Sequence, residues 1–387
     1  MLHDIRLLIL LAAGSLTTMV GGVVAPILPE MVEELRLDPS LAGNLVSIHC
    51  LTIALFSPLL GIVADRVGRL RVLIPSLMLY ALFGVAGAFM SSFWHLLATR
   101  ALMGAASGGI AAASLGLLGN MYEGQARSQA LGYATGTLTI TGIAFPLLGG
   151  WVGATHWQFA FYLYGLGLPL AVLAALILRE KQPKLSAKES AIAPSHKLSQ
   201  VLGHPHALQL LLTLCLASIA MTTVVIYAPL YLSETIGAGA ALNGIVLASR
   251  AVGAAAVSAF AAKGLAQRLG LHRATALGFG LMALTLATIP LLHQIRWILL
   301  TAMFFGMGFG IVLPNLYSAL ANLAPAKLRS SVLSTGTGAG FLGQFLCPIL
   351  FGPLLDYNQL PVVFYAAASV AIVAGLLLLV RRQWSIG

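Results

Sequence analysis

Two arginines lie inside long apolar stretches of the sequence, where a charged side chain is unusual. Arg250 is in the middle of the apolar run 246–253, and Arg100 is near the start of another run. A guanidinium surrounded by hydrocarbon costs at least about 2.5–3.5 kcal/mol unless it faces water, a polar group or an anion. We therefore expect each arginine to contact either a small anionic molecule or a structural hydrogen-bonding partner.

A third candidate for charge chemistry is His49, because an imidazole titrates near neutral pH and can carry a proton. His49 is in the second apolar run, one position from the residue that aligns with Arg250 when the two halves of the chain are superposed. A neutral histidine packed in a core explains the residue equally well, and both interpretations stay open.

No acidic residue lies clearly inside an apolar run. Glu30 comes closest, because it directly follows Pro29 at the end of the first run. We expect it to belong to a solvated acidic stretch with Glu33 and Glu34, and the alternative is that it reaches into an outer vestibule. The membrane-embedded charges are then basic, which favours an anionic, zwitterionic or neutral amphipathic ligand over a simple cation.

Membrane-spanning helices are the elements that have to position these side chains. The 387 residues are 59% hydrophobic and 8% charged, whereas soluble proteins carry about 25% charged residues. In hydrocarbon only helices and closed barrels satisfy the backbone, and apolar runs of about 20 residues without alternation favour helices. The sequence predicts an all-α membrane protein with twelve transmembrane helices, at 7–29, 41–63, 72–92, 95–121, 129–153, 158–178, 207–232, 241–262, 273–292, 295–322, 331–354 and 361–381.

A polar segment, 179–206, separates the first six predicted spans from the last six. We interpret it as a linker between an N-terminal half (1–178) and a C-terminal half (207–387). Lys and Arg are concentrated in alternate connections, and only Arg36 and Arg296 fall on the opposite side. The positive-inside rule then places both termini and the linker in the cytoplasm. The short loops suit a bacterial inner membrane.

A motif with a second, weaker copy follows the second span. It consists of Gly61, Asp65, Arg66, Gly68, Arg69 and Arg71. The copy after the eighth span has Gln267 in place of the acid, followed by Arg268. The motif resembles the cytoplasmic signature of the major facilitator superfamily. The resemblance implies two parallel six-helix repeats and a gating role for the motif, in which Asp65 pairs with an arginine.

Two further patterns resemble that superfamily. Arg100, with Leu96 and Gly104 at spacings of four, is similar to a fourth-helix motif associated with proton-coupled members. Gly142, Pro146, Gly149 and Gly150 in the fifth span are similar to a motif of the antiporter branch, although Phe145 replaces a glycine of that motif. A kinked helix packed through small residues explains these positions equally well. The resemblance also implies a central cavity, to which Tyr227, Asn315 and Thr223 would contribute.

The sequence as a whole resembles the twelve-helix drug and metabolite:proton antiporter branch. We expect a secondary transporter that exports a small organic molecule by alternating access, coupled to protons. An importer of an organic anion or nutrient, by symport or uniport, is the first alternative. A non-transporting membrane sensor on the same fold is the second.

The expected partners are a small-molecule substrate, protons and membrane lipid. The sequence contains no catalytic, nucleotide-binding or metal-ligand motif, so we expect neither an enzyme nor a cofactor or metal site. The formal charge of +10 resides in short loops, which suits lipid head groups and not nucleic acid. We expect a monomer.

Overall fold

A computed structural model describes residues 4–179, 195–325, 328–357 and 360–379 of the chain. Within these ranges the chain is helical and contains no β-strand. The helices of the first half are α1 (Ile5–Glu34), α2 (Pro39–Val67), α3 (Arg69–Ala86), α4 (Phe93–Met121), α5 (Gly124–Gly153), α6 (Trp157–Tyr162) and α7 (Gly167–Ile177). The remaining helices are α8 (Ser195–Leu202), α9 (Pro205–Ile236), α10 (Ala240–Phe260), α11 (Ala262–Leu269), α12 (Leu271–Thr288), α13 (Ile295–Leu323), α14 (Arg329–Phe351) and α15 (Leu360–Leu379).

The described residues contain twelve helical segments that are long and apolar enough to cross a membrane. This confirms the predicted fold class and number of spans. One segment, Trp157–Ile177, combines α6 and α7 through a 3-10 turn at Leu163–Leu166. Most helices extend a few residues beyond the predicted apolar runs, because helical hydrogen bonding continues into the polar flanks of a span.

The first helix shows this extension most clearly. The apolar run predicts a span of 7–29, but α1 continues to Glu34 and contains Pro26 and Pro29. Asp4 caps its start, since its Oδ1 accepts the backbone N–H of Arg6 at 3.0 Å. Glu30 therefore belongs to the helix itself and not to the connection that follows it.

The segment between the two sets of spans is not wholly irregular. Sequence reasoning predicts a non-periodic linker at 179–206, but Ser195–Leu202 forms the short helix α8. Its apolar residues recur at helical spacing along one face, a pattern that eight residues are too few to distinguish from chance. Residues 180–194 of the predicted linker lie outside the described residues.

The chain groups into two compact units. The first holds Met1–Glu189 together with Ala228–Ala248, and the second holds Ser190–Tyr227 together with Ser249–Gly387. Both α9 and α10 therefore contribute residues to each unit. The division at the linker that the sequence predicts stays a prediction.

The two copies of the motif share one backbone feature. Gly68, between α2 and α3, has φ +109°, and Gly270, between α11 and α12, has φ +82°. Side chains disfavour these angles, so glycine allows each chain to turn sharply from one helix into the next. The second copy is on the separate short helix α11, which begins where the predicted span 241–262 ends and was not predicted as a helix.

Candidate functional site

The motif 61–71 forms a turn that is tied to a neighbouring helix. Arg69 forms a salt bridge with Asp65, four residues earlier in the chain. Its Nη2 and Nε lie 2.9 Å and 3.2 Å from Oδ1 of Asp65. The Nη1 of the same arginine donates to the carbonyl of Gly116 on α4. One guanidinium therefore joins the end of α2, the start of α3 and α4.

The other members of this motif have simpler surroundings. Arg66 and Arg71 are exposed, and Arg71 Nη1 lies 3.4 Å from the carbonyl of Val67. Gly61 faces α4, where a side chain would meet Ala112. The gating role of the motif remains a prediction, but the pairing of Asp65 with an arginine occurs as the sequence indicates.

Arg100 is buried, with 1% of its surface exposed, and it donates to several helices of the first unit. Its Nε donates to the carbonyl of Leu45 at 3.1 Å, and its Nη2 donates to the carbonyl of Val20. Its Nη1 donates to the Tyr164 hydroxyl at 3.0 Å. The Tyr164 hydroxyl in turn donates to Val20 at 3.0 Å. Arg100 thus connects α4 with α1, with α2 and with the 3-10 turn before α7.

Aromatic rings complete the surroundings of Arg100. Its guanidinium carbon lies 5.6 Å from the centre of the Tyr164 ring, and Tyr80 packs edge-on against that ring. The Tyr80 hydroxyl donates to the carbonyl of Leu16 at 2.9 Å. Sequence analysis missed both tyrosines, since a tyrosine in a span is more often packing than a partner of a charge.

His49 is buried in the same unit as Arg100. Its Nε2 lies 3.5 Å from the thiol of Cys50, while its Nδ1 has no hydrogen-bond partner among the described residues. The helix α4 approaches the His49 backbone at Gly104, where an added side chain would come within 2.7 Å of the His49 Cα. An unpartnered ring nitrogen is suited to gaining or passing a proton, and the proposed role of His49 stays open.

The pattern of Gly142, Pro146, Gly149 and Gly150 has two kinds of members. A Cβ at Gly149 would lie 2.6 Å from the carbonyl of Val23 on α1, and one at Gly150 would lie 3.1 Å from Gly244 on α10. Gly244 in turn approaches the carbonyl of Pro146. A side chain at Gly142 would meet nothing within 4 Å. Three members therefore permit close backbone contact within the first unit, and Gly142 does not.

Arg250 has surroundings unlike those of Arg100. It is 9% exposed and lies in the second unit. Its Nε is buried and has no partner, and among the described residues no hydrogen bond or ion pair reaches its guanidinium. Its backbone packs against α13 at Gly306, where a side chain would meet the carbonyl carbon of Arg250 at 2.8 Å. The backbone of Arg250 is thus packed closely against α13, while its guanidinium has no partner among the described residues.

Three more predicted residues lie in the second unit. Tyr227 and Asn315 are buried, and neither the Tyr227 hydroxyl nor the Asn315 Nδ2 has a partner in the described part of the chain. Thr223 differs, because its hydroxyl donates to the carbonyl of Ile219 at 2.9 Å and lies 3.5 Å from the Cys347 thiol. The Thr223 hydroxyl is already used inside the helix.

Asn315 lies at a different depth along the helices from Arg250 and Tyr227. Arg250 is ten residues after the start of α10 at Ala240, and Tyr227 is nine residues before the end of α9 at Ile236. At 1.5 Å per residue both are about 14 Å from those ends. Asn315 is nine residues beyond Gly306, which packs on Arg250, so it is displaced by about 13 Å along α13.

The sequence matches the family model of the Major Facilitator Superfamily over residues 10–345 and 231–383. The chain belongs to the Major Facilitator Superfamily. It is a transporter-family protein, and its described residues contain twelve candidate membrane helices.

The curated relatives of this chain include bacterial proteins that are named as efflux transporters. The Bacillibactin exporter of Bacillus subtilis is 23% identical over 375 residues, which is 94% of this chain and 92% of that protein. The multi-drug resistance efflux pump PmrA homolog of Lactococcus lactis is 24% identical over 379 residues, covering 94% and 90%. Both relatives match this chain over nearly its whole length.

Solved structures of other transporters share the fold. A bacterial homolog of the human lysosomal transporter Spinster superposes with a TM-score of 0.78 at 15% identity, covering 97% of this chain and 94% of the other. A POT family transporter in complex with 5-aminolevulinic acid gives 0.76 at 15% identity, covering 97% and 95%. At these identities the likeness establishes the major facilitator fold and nothing finer.

Two polar residues near the end of α1 were not recognised as site candidates. Glu30 is half-buried, and its Oε2 is buried without a partner. Asn243 is fully buried on α10, and its Oδ1 has no partner among the described residues. A lone asparagine early in an apolar run was the available signal for Asn243. The expectation that Glu30 is solvated is corrected here, because α1 continues past it and packs its carboxyl group inside the first unit.

Proposed function

We propose that this protein exports small organic molecules that carry an anionic or zwitterionic group, by proton-coupled alternating access. The observation that carries the proposal is Arg250, a buried guanidinium in the middle of α10 whose Nε has no partner in the described part of the chain. A charge held in hydrocarbon without a partner is retained for binding more often than for stability.

A carboxylate or similar anion would satisfy Arg250 well. A guanidinium presents a planar fork of donors that matches two oxygens of a carboxylate, and a desolvated pair of this kind is strong. Tyr227 lies at a similar depth and has a free hydroxyl among the described residues, so it is the best candidate for a second contact. Neutral amphipathic molecules could use the hydroxyl and the apolar surroundings without the charge.

The sequence relates Arg100 to a motif associated with proton coupling, but we propose a structural role for this residue. Its three donating nitrogens contact carbonyls and a hydroxyl inside the first unit. We assign it to holding α1 and α2 in place beside His49, so that any part in proton coupling is indirect. His49 is then the remaining candidate of this pair for direct proton transfer.

The direction of transport is supported by the relatives. The curated proteins of similar length include an exporter and a multi-drug resistance efflux pump homolog. The packing of Gly149 and Gly150, in the pattern that resembles the antiporter branch, is consistent with export. The two alternatives, an importer and a non-transporting sensor, are not supported by these relatives or by the pattern that resembles the antiporter branch.

The proposal can be tested by proton flux in everted vesicles with a preformed inside-acid gradient. Anionic, zwitterionic, neutral and cationic compounds of similar size are added in turn. Dissipation of the gradient by anions or zwitterions supports export of the proposed class. Dissipation by cations alone contradicts the proposed substrate class. If no compound acts, uptake into right-side-out vesicles under an inward proton gradient identifies an importer, and the absence of flux in either orientation supports a sensor.

A further inference from the structure

Three helices of the first unit meet where α1 and α5 end and α10 begins. We call this the α1–α5–α10 junction and define it by Glu30, Pro146, Gly149, Gly150, Asn243 and Gly244. The backbones of α5 and α10 touch through Gly150 and Gly244, and α5 touches α1 through Gly149. Little room for water remains where backbones pack this closely.

Two oxygen atoms in this junction are buried without a donor. Oε2 of Glu30 has no hydrogen-bond partner, and neither has Oδ1 of Asn243, among the described residues. Asn243 is fully buried, and its Nδ2 lies 3.4 Å from the carbonyls of Pro26 and Ala238. The amide orientation follows from these contacts, because only an N–H group can serve two carbonyls.

Helical spacing brings the two residues to one contact face. Glu30 follows Pro26 by four residues on α1, and Asn243 follows Ala240 by three residues on α10, so each pair shares a face. Asn243 contacts Pro26, and the backbone N–H of Ala240 donates to the Glu30 carboxyl group. Since Oε2 has no partner, Oε1 is the oxygen that accepts from Ala240.

We propose that Glu30 and Asn243 form a proton-binding site, in which Glu30 is protonated on Oε2 while the junction is packed. The neutral carboxyl group still accepts the Ala240 N–H through Oε1, and its O–H supplies the donor that Asn243 Oδ1 lacks. The reaction is the addition of one proton to one carboxylate. A charged Glu30 would be desolvated with one oxygen unpaired, which costs more than a neutral hydrogen-bonded acid.

The charges around Glu30 act in the same direction. Glu33, on the same helix, repels a negative charge at Glu30. From α6, Gln158 donates to Glu34 at 3.0 Å and not to Glu30. The residues that α5 and α10 bring to the junction, Pro146, Gly149, Gly150, Asn243 and Gly244, are not titratable. No cation among the described residues offsets the Glu30 carboxylate.

Infrared spectroscopy of the purified full-length protein tests the proposal without any substrate. A protonated carboxylic acid has a C=O stretching band that a carboxylate lacks. We expect this band at about pH 7, well above the range where an ordinary glutamate is protonated. The band should be lost in Glu30→Gln and retained in Glu33→Gln, the matched control on the same helix. Its absence, or its persistence in Glu30→Gln, would overturn the proposal.

Three further variants test the parts of the site. Asn243→Ala should shift the band to higher frequency, because the acid loses its acceptor, and an unshifted band contradicts the role of Asn243. Gly150→Val should lower the pH at which the band disappears, because the added side chain separates α5 from α10 and lets water reach Glu30. Gly142→Val is the control, because a side chain there meets nothing within 4 Å. Equal effects of the two variants would contradict the idea that protonation of Glu30 depends on the packing of α5 against α10.

Two comparisons separate this proposal from its rivals. Replacing choline chloride by sodium chloride should leave the band unchanged, and its loss in sodium would indicate a cation site instead. The proposal extends the idea of proton coupling but is independent of the substrate. Arg250→Ala should therefore keep the band even if no anion is transported, so the failure of one proposal does not imply failure of the other.

Discussion

Arg100 and Arg250 show that the same residue type in similar apolar sequence can have opposite surroundings. Arg100 donates to carbonyls 55 and 80 residues away along the chain and to a tyrosine hydroxyl 64 residues away. Arg250 has no such partner among the described residues. The sequence identifies both as unusual, but it cannot show which carbonyls of distant helices are left accessible, because that depends on packing.

The difference predicts opposite effects on stability. Arg100→Ala should lower the free energy of unfolding by about 3 kcal/mol, since it removes buried hydrogen bonds to the carbonyls of Leu45 and Val20 and to the Tyr164 hydroxyl. Arg250→Ala should cost less than about 1 kcal/mol, because it removes an unpaired charge. Unfolding of the purified protein in detergent measures both, with Arg296→Ala as an exposed control. Equal losses for Arg100 and Arg250 would contradict the assignment.

At the scale of elements, the sequence predicts the spans well and the contacts between them poorly. Apolar runs of about 20 residues indicate the twelve membrane helices because length and hydropathy are local properties. The helix α8 and the continuation of α1 through Glu30 were missed, since short polar stretches carry little periodic signal. The junction of α1, α5 and α10 depends on glycines that are 90 or more residues apart, and one sequence gives no sign of that pairing.

Glycine packing in α5 leads to a prediction at this scale. Gly150→Val should disrupt packing against α10 and lower the free energy of unfolding by about 2 kcal/mol, because backbone atoms of α10 cannot yield to the added side chain. Gly142→Val on the same helix should cost less than about 0.5 kcal/mol. Unfolding in detergent compares the two, and a larger effect at Gly142 would contradict the packing described for the pattern.

The link between the start of α1 and the end of α4 predicts a pH dependence. The Tyr122 hydroxyl donates to Asp4 Oδ2 at 2.8 Å, and this hydrogen bond lowers the pKa of Asp4 below its ordinary value. Burial, followed by Asp4 itself, raises the pKa of Tyr122 to about 12. The hydrogen bond therefore stabilises the fold fully above the ordinary pKa of Asp4, and this stabilisation is lost as the pH falls through the lowered pKa. At high pH it is lost only as the pH rises toward about 12, where Tyr122 ionises.

Tyr122→Phe removes this link. We expect a loss of about 0.5 kcal/mol between about pH 5 and pH 9, a small value because Asp4 is largely solvated. The difference from the parent protein should shrink as the pH falls below the ordinary pKa of Asp4 and should vanish once Asp4 is protonated. Urea unfolding at several pH values measures the difference, and a difference that does not shrink in acid would count against the hydrogen bond.

At the scale of the whole molecule, membership of the Major Facilitator Superfamily follows from the sequence, and specificity does not. The motif 61–71 is shared machinery and carries no information about the substrate. The placement of both termini in the cytoplasm and the division into two halves at the linker stay predictions. The features on which the proposals for this chain depend are Arg250 and Tyr227, which have buried polar atoms without a partner among the described residues, and Glu30 near the end of α1.

The most direct test of this account is the effect of Arg250→Ala on proton flux driven by an anionic or zwitterionic compound in everted vesicles. Losing a charged hydrogen-bonding partner of the substrate should reduce the flux at least tenfold, a loss on the order of 1.5–3 kcal/mol. Arg250→Lys should restore it only in part, and Arg296→Ala should leave it unchanged. Unaltered flux in Arg250→Ala, at the same protein level, would contradict the central claim that Arg250 binds the transported anion.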